Sequence, residues 1–99
     1  MSTAIEVDVH NPSGLHARPA AAFVKAAAAF RSEVRVANVT TGSPEVSARS
    51  ILSVLGLGVS SGHRIRLHAD GADEADAVRS LAELVAAGLG ETAGGAAPG

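Results

Sequence analysis

Cysteine, tryptophan and tyrosine are all missing from the 99 residues, and phenylalanine occurs only twice. The lack of cysteine excludes a disulfide framework, a thiolate metal site and thiol catalysis together. With so few aromatics, alanine and aliphatic side chains must build the core of a chain that is 46% hydrophobic. No apolar run approaches the roughly 18 residues of a membrane span. The opening Met1-Ser2-Thr3 leads straight into alternating residues, unlike a signal peptide. Basic residues are not interleaved with aromatics, which argues against nucleic acid as a partner. The expectation is a soluble protein of a reducing cytoplasm, without membrane insertion. The length suits one domain, which buries roughly two-thirds of its unfolded surface in a single thin core.

Net charge is only −2, but its distribution is uneven. Between residues 10 and 66, seven basic groups (Arg18, Lys25, Arg31, Arg35, Arg49, Arg64, Arg66) face only Glu33 and Glu45. Beyond residue 66, Arg79 stands alone against six acids. Such asymmetry could steer an acidic protein surface toward the first half; a solvated surface with one acidic helix fits equally well.

Periodicity gives the order of elements. Ile5, Val7 and Val9 alternate with Glu6, Asp8 and His10 as a half-buried strand. Asn11-Pro12-Ser13-Gly14 is turn chemistry, and Ala17 to Arg31 reads as a helix through Ala20, Phe23, Val24, Ala27 and Phe30. Pro19 fits the first turn, where its missing N–H has no intrahelical partner anyway. Val34 and Val36 mark a second strand, and Glu45–Ala48 a short third. Ser50 suits the N-cap of a short helix carrying Ile51, Val54 and Leu55. Ile65, Leu67 and Ala69 form a fourth strand, and a last helix starts near Asp73 with Val78, Leu81, Ala82, Val85 and Leu89 buried. The domain therefore covers residues 1–89, and residues 90–99 read as a disordered Gly/Ala-rich tail. The β-α-β-β-α-β-α order, with each strand apolar on one side, predicts an α+β open-faced two-layer sandwich.

Chemistry concentrates where the first turn meets the first helix. His16 falls against the free N–H groups of a helix N-terminus, where backbone donors at Ala17 and Arg18 and the macrodipole favour a phosphate. Imidazole is largely neutral, hence nucleophilic, in a cytoplasm near neutrality. Arg18 adds a fixed cation. Spacing alone also fits a plain surface histidine followed by an ordinary helix arginine.

The run Gly14-Leu15-His16-Ala17-Arg18-Pro19-Ala20 resembles the active-site signature of the HPr family, the histidine-containing phosphocarriers of the bacterial phosphoenolpyruvate:sugar phosphotransferase system. Arg49 to Gly58 is similar to that family's serine motif, in matching register. The resemblance implies a four-stranded antiparallel sheet with three helices on one face. It implies that His16 takes a phosphoryl group on Nδ1 from enzyme I and passes it to an EIIA domain for sugar uptake, with Arg18 as charge partner. By the same resemblance Ser50 is a candidate for HPr kinase/phosphorylase, and Ile51, Leu52 and Leu55 form a docking surface. The chain is then a monomeric carrier needing no cofactor, and not an enzyme.

Two departures stand out. Ala26–Ala29 replaces lysines common after Lys25, thinning the basic rim, and the chain runs past the last helix to Gly99. Other readings are an HPr-like regulator that docks on transcription regulators or metabolic enzymes, and a carrier for a nitrogen-related or dihydroxyacetone branch. His10 and His68 would approach each other if their strands paired, but two histidines without a third ligand make a poor metal site. His63, beside Gly62, reads as a turn residue.

Overall fold

Alternation along four short segments produces the sheet. The computed structural model describes residues 2–91; Met1 and residues 92–99 of the expected tail lie outside the described residues. Its elements are β1 (Thr3–Asp8), α1 (Ala17–Ala28), β2 (Glu33–Asn38), β3 (Val46–Ser47), α2 (Ile51–Gly56), β4 (Arg64–Asp70) and α3 (Glu74–Ala86). The order is the expected one. The strands form one antiparallel sheet in the spatial order β1-β4-β2-β3. Along β4, Ile65, Leu67 and Ala69 are buried under the helices, while Arg64, Arg66 and Asp70 are exposed on the other face. Val34 and Val36 of β2 continue the buried face, and Phe23, Leu81 and Val85 close over it from the helices. Each such aliphatic or phenyl group contributes about 1.5–3 kcal/mol by leaving water.

Several boundaries differ from the periodic reading. α1 stops at Ala28 rather than Arg31, because the Ala29 and Phe30 N–H groups turn back on Ala26 and Ala27 in tight i→i−3 bonds. The Arg49 guanidinium then takes the Phe30 and Ser32 carbonyls at 2.6 and 3.3 Å, satisfying the end of that turn. Leu89 is buried as expected, but not as part of the helical stripe. It sits in a left-handed turn after α3 at φ 52°, following Gly88 at φ 95°. Gly90 and Glu91 also belong to the folded body, since Glu91 hydrogen-bonds Asn11 and Ser13.

Asp73 does start α3, yet its carboxylate does not cap that helix. It accepts instead from the Arg31 and Ser32 N–H groups at 2.9 Å each and from the Ser32 hydroxyl at 2.5 Å, tying the α1–β2 loop to the head of α3. These donors, the Ser32 hydroxyl above all, hold the Asp73 carboxyl down at about 2. A carboxyl depressed in the folded state stabilises above its unfolded value near 4, and that contribution is lost as pH falls toward 2. We expect unfolding midpoints of the wild-type chain to drop between pH 4 and 2. Asp73→Asn should be less stable at pH 7 and should show a visibly shallower acid limb, as read by chemical denaturation at each pH.

Candidate functional site

The chain leaving β1 must reverse direction over the end of the sheet to lay α1 across it. Val9 is buried just past the strand, bonded through its N–H to the His63 carbonyl and through its carbonyl to the Gly62 N–H. Two residues on, Asn11 is wholly buried and its amide Nδ2 donates to the Gly14 carbonyl at 2.8 Å and to Glu91 Oε1 at 2.9 Å. Both partners accept, which fixes the amide orientation. Its Oδ1 has no partner among the described residues. Gly14 turns at φ 58°, and a Cβ there would run into the Val59 carbonyl and the Ser60 backbone. That close approach lets the Leu15 N–H reach the Val59 carbonyl at 3.0 Å and buries Leu15 completely.

Beyond this anchor the backbone emerges into solvent. His16 is exposed and extended (φ −130°, ψ 159°) at the N-cap of α1, and its ring caps no helix N–H. Ala17 follows at φ 50°, in the left-handed region, which costs a residue with a Cβ about 1–2 kcal/mol. Pro19 is buried in the first turn. Neither the Ala17 nor the Arg18 N–H donates to any described group. Two backbone donors and the helix's positive end thus lie open beside the imidazole, a site chemically suited to an anion. Arg18 is exposed and forms no ion pair among the described residues.

His16 Nδ1 lies 3.0 Å from the Ser13 carbonyl. A carbonyl only accepts, so the bond requires the proton on Nδ1 and leaves the lone pair on Nε2. For Nδ1 to act as nucleophile, this bond must open and the proton must move.

The family described as the PTS HPr component phosphorylation site matches residues 3–87. The chain belongs to the HPr family. Phosphocarrier protein HPr of Haemophilus influenzae is 41% identical over 80 residues, covering 81% of this chain and 91% of that protein. A multiphosphoryl transfer protein of the same organism is 41% identical over 90 residues, or 91% of this chain. The chain spans only 18% of that protein's length and 23% of its Escherichia coli O157:H7 counterpart. Among solved structures, HPr-C-His from Thermoanaerobacter tengcongensis aligns with a TM-score of 0.85 at 38% identity, over 91% of this chain and 98% of that one.

The other residues singled out by the HPr resemblance fall as follows. The Ser50 hydroxyl caps α2, accepting from the Ser53 N–H at 3.2 Å. Ile51 and Leu52 are 38% and 78% exposed, large aliphatic groups with no cover, while Leu55 is half-buried and packs on the core. α2 lies against α1, and the loop that follows it carries Val59 beneath Gly14. The possible His10–His68 pairing does not form. In the β1–β4 register His68 stands opposite Ala4, six residues from His10, and its Nδ1 faces Glu45 at 3.1 Å. No group of three potential metal ligands occurs among the described residues. His63 is more than a turn residue: its Nδ1 accepts from the Ser60 N–H and the Asn38 amide, both at 3.1 Å.

Gly14→Ala combines a positive φ with a backbone collision, so it should destabilise by more than about 1 kcal/mol. Denaturant titration checks the magnitude. A change under half that would show that the Val59 loop yields easily to a methyl group.

Proposed function

We propose that this HPr-family chain is a cytoplasmic phosphocarrier of the phosphotransferase system, accepting a phosphoryl group from phospho-enzyme I on His16 Nδ1 and delivering it to an EIIA domain. The observation that carries the reading is a solvent-open imidazole beside two unoccupied backbone N–H groups at the start of α1. A covalent shuttle must hold its cargo without enclosing it. Here the Ala17 and Arg18 N–H groups seat the phosphoryl oxygens, the macrodipole and the Arg18 guanidinium offset their charge, and the outer face remains free for in-line attack. No small molecule is turned over, and neither metal nor cofactor takes part. Retention of the nucleophile favours a carrier over a regulator that acts by docking alone.

Ile51 and Leu52, with Leu55 behind them, form the apolar part of the surface that meets both partners. Ser50 is the site at which an HPr kinase/phosphorylase would act. A phosphate there adds about −1.5 to −2 charge next to that apolar patch. It favours α2 itself and repels an acidic partner.

His16→Ala should fold normally and take no phosphoryl group from phosphoenolpyruvate and enzyme I, read by intact mass. The label on the wild-type chain should survive alkali and vanish in mild acid; an acid-stable label would place it on a hydroxyl instead. Arg18→Ala should change stability by no more than about 0.5 kcal/mol. It should nevertheless slow transfer roughly ten- to hundred-fold, the size of one lost charge-assisted hydrogen bond.

Ser50→Asp should fold as the wild type and accept phosphate from enzyme I more slowly. Stopped-flow transfer rates equal to wild type would separate α2 from the docking surface.

A further inference from the structure

The end of the fold reaches the site through one side chain. After α3, Gly88, Leu89 and Gly90 all adopt positive φ (95°, 52° and 85°), and buried Leu89 anchors the turn. A Cβ on Gly88 would strike the Glu91 carbonyl, whereas the Gly88 carbonyl accepts the Glu91 N–H at 2.8 Å. The turn brings Glu91 to the β1–α1 reversal. Its Oε1 accepts from Asn11 Nδ2 and the Ser13 N–H, both at 2.9 Å, and its Oε2 accepts from the Ser13 hydroxyl at 2.7 Å. The Asn11 amide and these Ser13 donors hold the Glu91 carboxyl below its ordinary range. The residue so gripped at its N–H and hydroxyl is the one whose carbonyl meets His16 Nδ1.

Building on the carrier reading, we propose that Glu91 is a positioning residue that raises the phosphoryl-transfer potential of His16. Two effects act in the same direction. The grip on Ser13 keeps its carbonyl against Nδ1, in a hydrogen bond that exists only while Nδ1 carries a proton rather than phosphorus. The carboxylate also places a negative charge on the turn that a phosphoryl group would join. During acceptance the donor–phosphorus bond breaks, its electron pair staying on the donor atom, as the Nδ1 lone pair bonds to phosphorus. Before attack the Nδ1 proton passes to water and Nε2 takes one up, so the attacking ring is neutral. Once Nδ1 is bonded to phosphorus the ring carries a positive charge until Nε2 releases its proton to water. Ser13 loses its donor in this step and regains it when the group departs to the next protein. The unphosphorylated state is thereby favoured, and the phosphorylated chain is the better donor.

Glu91→Ala and Glu91→Gln in the full chain test this by two measurements. Nitrogen-15 spectra of the His16 ring report the fraction protonated on Nδ1 and require no enzyme I. The equilibrium of phosphoryl exchange against phosphoenolpyruvate and pyruvate, with purified enzyme I, reports the transfer potential. Glu91→Ala should lower the Nδ1-protonated fraction and shift the exchange toward the phosphorylated chain by about two- to tenfold, the range given by one hydrogen bond. Glu91→Gln, which keeps the shape and an accepting oxygen, should preserve more of the tautomer preference while still shifting the equilibrium the same way through loss of charge. A merely structural Glu91 would lower the unfolding midpoint and leave both readouts of the folded chain unchanged, which would overturn the proposal. An equilibrium shifted toward the unphosphorylated chain in Glu91→Gln would overturn it equally. A wild-type chain that takes no phosphoryl group from enzyme I overturns the carrier reading itself and the transfer-potential role with it. In that case the tautomer measurement still decides whether Glu91 positions the ring.

Discussion

The aliphatic face of the sheet is the constraint that everything else answers. Val34, Val36, Ile65, Leu67 and Ala69 present it, and helices of six to thirteen residues must cover it. Helices this short are marginal in water alone and draw their stability from packing on that face. α1 is thus held wherever Ala20, Phe23 and Ala27 can be buried, and the chain leaving β1 has to double back over the sheet end to put them there. The reversal is tight enough to demand Gly14 against Val59 and a left-handed Ala17. His16 lies between those two residues. Its exposure and its place at a helix start follow from the path of the backbone, with no pocket required to hold it.

The order of elements and the place of His16 at a helix start were legible because both rest on local signals: alternation of period two, helical spacing, and a turn-His-helix junction. The ends of α1 and α3 were less so. Phe30 and Leu89 continue the helical spacing perfectly well, but the Phe30 carbonyl is taken by Arg49, distant in sequence, and Leu89 is carried off the helix by a left-handed turn with Gly88 and Gly90. Glu91 escaped notice for a similar reason. A glutamate within a run of glycine and alanine looks like tail, and nothing local says that its carboxylate meets Asn11 and Ser13 some eighty residues upstream. Asn11 carried a weak signal, as a turn asparagine, that concealed complete burial. His63 likewise gave no hint that Asn38 would donate to its ring.

The charge asymmetry of the sequence also changes meaning in three dimensions. Arg35, Arg64 and Arg66 stand on the open face of the sheet and are paired with Glu33, Asp8 and Glu6. Arg49 is engaged with the carbonyls that follow α1. Of the first half's other basic groups, Arg18 and Lys25 on α1 and Arg31 just past its end have no ion pair among the described residues. The positive field available to an approaching partner is therefore narrower than the count of arginines implies. It is centred on α1 and the loop just past its end.

The bonds from Glu91 to Asn11 and Ser13 close a loop of nearly the whole described chain. During synthesis β1 and the His16 turn emerge before α3 and its left-handed turn. A ribosome-held chain can therefore possess the histidine, the helix start and most of the sheet while the turn still lacks its last fastening. Completion of the site is tied to completion of the fold, because the residue that secures the beginning is supplied by the end.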